Sequence, residues 1–267
     1  MGKMSRAQIL KAAEELLDWL DADMYPACRE VCRQILQENG EPERARIYAD
    51  LLQGSDSGQE LPARVGAFIV SLYETGIALN EDAISMLNLG AFYYLGRGCE
   101  QDFEKAVYYY ELAAAGGEII ALENLGYCYY YGRSTEVDYK KAYYYFSQAA
   151  LFGRPISIYK IADMYRYGCY LPRDEKRAFA LYCRSLTCME QSGDNSPAGP
   201  ILLRLGDCFM HGIGTEKDVR SALVLYQSAE QHLYDKVAAG DYFYRGSLKQ
   251  AIEGQYAARS LLREALG

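Results

Sequence analysis

Residues 81–96, "EDAISMLNLGAFYYLG", form an apolar and small-residue run that ends on Gly96; a polar break follows, and a second apolar run opens after Asp102. Apolar positions on successive turns predict two short helices. Gly96 can close the first in the left-handed conformation, and the Asp102 carboxylate can accept a first-turn N–H of the second. The pattern recurs. A Gly or Ala followed six residues later by Gly stands at Gly90 and Gly96, Gly126 and Gly132, Ala162 and Gly168, Gly206 and Gly212, and Gly240 and Gly246. The third position after each first member is a ring: Tyr93, Tyr129, Tyr165, Phe209 and Phe243. Twelve residues after the first member of the anchor come Asp102, Asp138, Asp174 and Asp218, each followed four positions later by Ala106, Ala142, Ala178 or Ala222. In the fifth unit Ile252 replaces the Asp, as at the degenerate end of an array. Gly90 and Gly126 cost helix propensity, which predicts two backbones in close approach at these positions.

The period divides the chain into an N-terminal helical capping region, 1–80, and an array over 81–267 with repeats at 82–117, 118–153, 154–197, 198–233 and a degenerate 234–267. Four helices are expected in the first region: "SRAQILKAAEELLDWLDA" with a Ser cap, "MYPACREVCRQILQEN" with Pro26 in its first turn, "PERARIYADLLQG" ending at Gly54, and "LPARVGAFIVSLYETG". The last two, separated by the polar "SDSGQE", resemble a worn repeat, and the region is expected to cover the first repeat as a cap. The third repeat carries eight extra residues, most simply placed in "MEQSGDNSPAGP", Met189–Pro200, whose composition predicts an exposed loop.

The sequences "LGAFYYLGRG…DFEKAVYYYELAAAGG", "LGYCYYYGRSTEVDYKKAYYYFSQAALFG" and "LGDCFMHGIGTEKDVRSALVLYQSAEQHL" resemble Sel1-like repeats, helix-turn-helix units similar to tetratricopeptide repeats with a longer inter-helix loop. Repeat 3 departs from the pattern, with Ile161-Ala162 for Leu-Gly and Ser185-Leu186 for the double alanine. The resemblance implies an all-α chain, a right-handed α/α superhelix (solenoid), with first helices lining a concave surface and a role in assembling complexes.

Tyrosine is the outlier of the composition, 26 of 267 residues against 8 Phe and 1 Trp. In "YYYGRSTEVDYKKAYYYFSQAA", Tyr129 holds the recurring ring position, and Tyr145-Phe146 matches Tyr109-Tyr110, Leu181-Tyr182 and Leu225-Tyr226, so these are structural. Successive helical residues point about 100° apart, so the flanking rings cannot all enter the same core. Tyr130 and Tyr131 align with Tyr94 and Leu95, Arg166 and Tyr167, Met210 and His211, and Tyr244 and Arg245, a mixture that does not describe a core column. If first helices face a hollow, Tyr94, Tyr130, Tyr131, Arg166, Tyr167, His211 and Tyr244 form a partner-binding ladder; the alternative is that they pack between repeats. Tyr108, Tyr143 and Tyr144 on the second helices are open to convex-side packing.

The net charge of −8, with no block of like charge, argues against nucleic acid. Lys11, Glu14 and Glu15 interrupt the N-terminal apolar residues, so no signal peptide and no membrane span is expected, and the location is expected to be cytoplasmic with the eight cysteines as free thiols. Chemistry has few candidates. His211 and His232 are the only histidines, Cys208/His211 and Cys28/Cys32 are two separate half-sites rather than a zinc site, and "GRG" and "GIG" lack the strand and the Lys of a phosphate loop. The expected function is a non-enzymatic scaffold binding a protein or peptide partner, with no cofactor and homo-oligomerisation open. The rival is the penicillin-binding, weakly β-lactam-hydrolysing branch that the resemblance also contains, whose repeats are stapled by cysteine pairs; here the cysteines do not recur at the repeat period.

Overall fold

The computed structural model describes residues 2–55, 61–134 and 136–265. The expected spacer "SDSGQE" lies outside them except for Ser55. All regular structure among the described residues is helical, and the chain divides into two compact units, Met1–Val137 and Asp138–Gly267. It is an all-α fold of the α/α solenoid class.

The first unit runs α1 (Arg6–Trp19), α2 (Pro26–Gln37), α3 (Ala45–Gly54), α4 (Ala63–Asn80), α5 (Ala83–Leu95), α6 (Phe103–Ala115) and α7 (Ile119–Tyr131). Each helix packs on the next, and α1 also touches α4. Ser5 opens α1 with a capping box shared with Gln8, and Pro26 occupies the first turn of α2, where a missing N–H costs nothing. The second unit runs α8 (Tyr139–Leu151), α9 (Pro155–Tyr167), α10 (Glu175–Ser192), α11 (Ala198–His211), α12 (Val219–Ala238) and α13 (Arg245–Glu264), again packed in series.

The recurring residues explain the local structure. Asp102, Asp138, Asp174 and Asp218 each accept a first-turn backbone N–H of the second helix. Gly96, Gly132, Gly168 and Gly212 end the first helices with φ of 66–71°. The small first member of the anchor has a role besides the one expected. A Cβ on Gly90 would lie 2.7 Å from the Tyr110 ring and 3.3 Å from the Ala106 carbonyl oxygen, and one on Gly206 2.8 Å from the Tyr226 ring, so the glycine seats a second-helix ring, and at Gly90 it also lets the second-helix backbone come close. Those rings, Tyr110, Phe146, Tyr182 and Tyr226, are buried, as are the alanines one turn before them.

Two residues beyond the closing glycine the backbone turns left-handed again, at Gly98, Ser134, Tyr170 and Gly214. The glycines are enforced by contact: a Cβ on Gly98 would overlap the Gly66 backbone at the start of α4, and one on Gly214 the Glu175 carbonyl at the start of α10. The "GRG" and "GIG" turns are thus points where an inter-helix loop presses on an earlier helix of its own unit.

Two segments differ from expectation. The extra residues of repeat 3 lengthen α10 to 18 residues, and only 193–197 lie between α10 and α11. Met189 and Pro197 to Pro200 are buried rather than looped out, because Gly199 packs against Leu233. The fifth anchor does not close a first helix: Tyr242–Tyr244 is a 3-10 turn, Phe243 is exposed, and Gly246 lies inside the single helix α13. Gly254 of α13, not Gly240, meets the Tyr226 ring.

Candidate functional site

The last residue of each first helix comes just before the left-handed glycine, where the helix surface turns outward. Leu95, Tyr131, Tyr167 and His211 hold this place, with 52%, 43% and 61% of the first three exposed, and His211 exposed as well. In the first unit Tyr131 stacks on Tyr127, ring centroids 6.0 Å apart and nearly parallel, and meets Tyr130 edge-to-face at 5.0 Å. Tyr94 is half-buried, edge-to-face with Phe103 at 5.2 Å. Burial raises the Tyr94 hydroxyl, while neighbouring Arg133 pulls it back. In the second unit the Arg166 guanidinium lies 5.2 Å from the Tyr167 ring centre. The structure therefore brings Tyr130 and Tyr131 together in one unit, with Tyr94 packed on Phe103, and Arg166 and Tyr167 together in the other. Tyr244 stands apart, in the 3-10 turn, with the Lys236 ammonium 5.0 Å from its ring.

Beneath these exposed positions lies a recurrent polar contact that the sequence reading missed. The Tyr182 hydroxyl donates to Asp163 Oδ1 at 2.7 Å, and the Arg204 guanidinium grips the same carboxylate through both oxygens, Nε–Oδ1 at 2.6 Å and Nη2–Oδ2 at 2.7 Å. The Tyr226 hydroxyl donates to Asp207 Oδ1 at 2.9 Å, and Arg166 reaches Asp207 Oδ2 at 3.2 Å. Helices α9 and α11 are thus cross-linked by two reciprocal ion pairs, Arg166 to Asp207 and Arg204 to Asp163. The first unit repeats the motif: the Tyr73 hydroxyl donates to Asp50 at 2.9 Å, and the Asn88 amide donates to both Asp50 and the Tyr73 oxygen. In the array the signal was legible as Asp one residue after the anchor's first member and Tyr nineteen residues later, in repeats 3 and 4.

Electrostatics follow from burial. Asp163 is 3% exposed; burial alone would raise its carboxyl, but Arg204 and Lys160 and the Tyr182 hydroxyl together hold it below the ordinary carboxylate range. Burial pushes the Lys160 ammonium down to about 8, against the upward pull of Asp163. The Tyr182 and Tyr226 hydroxyls are pushed up, first by burial and then by the carboxylates they face, so each remains a donor. Arg166, with its side chain 12% exposed, is committed to Asp207 and is not a free contact residue. Among the described residues no cluster of three His, Cys, Asp or Glu side chains could hold a metal ion, and no helix is long and apolar enough to cross a membrane.

Comparison with known proteins agrees with this geometry. The family model described as the Sel1 repeat matches residues 83–118, 119–151, 155–187 and 202–231. The fold is similar to the crystal structure of a Sel1 repeat protein from Oxalobacter formigenes, at TM-score 0.61 and 20% identity, covering 94% of this chain and 99% of that one. It is also similar to c5321, a protective antigen of uropathogenic Escherichia coli strains with an SLR fold, at TM-score 0.54 and 21% identity, over 94% of this chain and 56% of that one. No curated protein sequence gives a significant match. The four matched segments each begin at or within a first helix and carry its closing glycine, the inter-helix turn and the Asp-capped start of the second helix, and on these four repeats the chain is a Sel1-like repeat protein.

Proposed function

We propose that the protein is a non-enzymatic scaffold that binds a protein or peptide partner through exposed aromatic residues at the ends of its first helices. Sel1 repeat proteins act generally in protein–protein interaction, and the observation that carries the reading here is the exposure of Tyr131 and Tyr167 at equivalent positions. Each ring is steadied by a neighbour, Tyr127 or Arg166, and still presents about half its surface to solvent. A rigid ring exposed at a helix end offers large contact area at small entropic cost. The Asp163–Arg204 and Asp207–Arg166 pairs support Tyr167 in the second unit by fixing α9 to α11. The reading extends to a cytoplasmic location, supported by eight unpaired cysteines. The same unpaired cysteines favour it over a cysteine-stapled enzyme.

The ion pair of Arg166 makes it a poor test residue, since its loss strands Asp207. Replacing Tyr131 and Tyr167 together by alanine is expected to leave the far-ultraviolet circular dichroism unchanged and to cut partner recovery in affinity capture about tenfold or more. Replacing the exposed second-helix residues Tyr108 and Tyr144 should leave capture intact. Full recovery by the Tyr131, Tyr167 variant would refute the assignment.

A further inference from the structure

The recurrent phenol–carboxylate contact is incomplete in one place. Tyr73, Tyr182 and Tyr226 each donate to a carboxylate, Asp50, Asp163 or Asp207, from the paired first helix. A nitrogen donor from another helix of the same unit completes each set: Asn88, Arg204 or Arg166. In repeat 1 the phenol is Tyr110 and the nitrogen donor Asn124, which aligns with Asn88 and Arg204 two residues before the anchor. The carboxylate position is held by Ala91, the residue after Gly90. Burial raises the Tyr110 hydroxyl, and no carboxylate adds to that effect as at the other three tyrosines. A cavity of about 110 Å³ opens there, lined by Tyr94, Tyr110, Asn124 and Tyr127. It offers phenol and amide donors, with the Arg133 guanidinium beside Tyr94.

We propose that this slot takes a carboxylate of the partner, an Asp or Glu side chain that completes the set as Asp50, Asp163 and Asp207 complete theirs. The proposal rests on the partner-binding reading and gives it a chemical specificity: an acidic residue flanked by apolar surface for Tyr131. The volume admits a carboxylate and its methylene, and the lining supplies two donors of the kind found at the other sets, the Tyr110 hydroxyl and the Asn124 amide. A buried phenol and an amide that line a cavity hold hydrogen-bonding capacity that an incoming anion recovers, and charge-assisted bonds are the stronger class.

Two measurements on the full chain test it without the partner. Ala91→Asp places the missing carboxylate in the chain itself. It is expected to raise the melting temperature by about 2–6 °C, and the carboxyl introduced by this substitution should titrate below the ordinary value of about 3.9. In the wild type, titration with propionate should give a saturable shift of the Asn124 side-chain amide in the NMR spectrum. Propionamide should not, and Tyr110→Phe should weaken the response about tenfold. Equal responses to propionate and propionamide, or an introduced carboxyl that titrates at or above the ordinary value, would overturn the slot. If Ala91→Asp does not fold, the propionate series on wild type and Tyr110→Phe decides alone. Failure here leaves the role of the exposed aromatic residues standing, because the Tyr131, Tyr167 capture experiment reads them independently.

Discussion

Asp163→Ala is expected to destabilise the protein by about 3–5 kcal/mol, the usual cost of breaking a buried ion pair by removing one partner. The penalty arises less from the lost attraction than from what remains: Arg204 keeps only the Pro200 carbonyl as a hydrogen-bond acceptor and loses its counter-charge, and Tyr182 keeps a buried hydroxyl without an acceptor. Replacing both partners, Asp163→Leu with Arg204→Met, should recover much of the loss, since well-packed apolar side chains often substitute for a buried pair. Chemical denaturation of the two single variants and the double variant gives the coupling directly. The pH dependence has a definite sign. Asp163 has a folded pKa held below its unfolded value of about 3.9, so its contribution is fully present above that value and is lost as pH falls through the folded pKa. The stability gap between wild type and Asp163→Asn should therefore narrow as pH falls below about 4. A gap that widens in acid would mean the carboxyl is not held ionised by Arg204.

Gly214→Ala is expected to cost roughly 2–5 kcal/mol, combining left-handed strain of about 1–2 kcal/mol with overpacking of about 1–3 kcal/mol. The loop has φ of 70° there, and a Cβ would run into the Glu175 carbonyl at the start of α10. Relief requires the loop and the helix to separate, which loosens the contact between successive repeats. Gly153→Ala is the matched control in the same unit: its φ is 72°, but nothing lies within 4 Å of a Cβ, so only the strain remains. The difference in melting temperature between the two variants isolates the steric part. Equal losses would show that loop and helix can part without cost.

The elements that could be read from the sequence are those set by local, periodic chemistry. Gly96 and Asp102 act within one turn of their own position, and Tyr93 meets Tyr109 of the helix that follows in the same repeat, so their recurrence was enough to locate helix ends and core rings. Arg166 was legible as a polar intruder in an aromatic column, but its partner Asp207 lies 41 residues away, and periodicity does not say which columns face each other. The anchor at Gly240 and Gly246 matched the spacing yet lacked the capping Asp, and without that cap the chain continues as the single helix α13. The insertion was legible by length alone. Its Gly, Asp, Asn and Ser content fits 193–196, whereas Ala198, Gly199 and Pro200 enter α11 and are buried, Gly199 against Leu233. Exposure at Tyr131 and Tyr167 followed from alignment, since a column containing His and Leu beside Tyr has no constant packing partner.

Hydroxyl-radical footprinting of the protein with its captured partner reads tyrosine side chains individually and tests the proposed binding residues most directly. Oxidation of Tyr131 and Tyr167 should fall several-fold on binding, while Tyr108, Tyr144 and Tyr256, all exposed in the free chain, should be modified as before. Protection confined to Tyr108 and Tyr144, with Tyr131 and Tyr167 unchanged, would contradict the account.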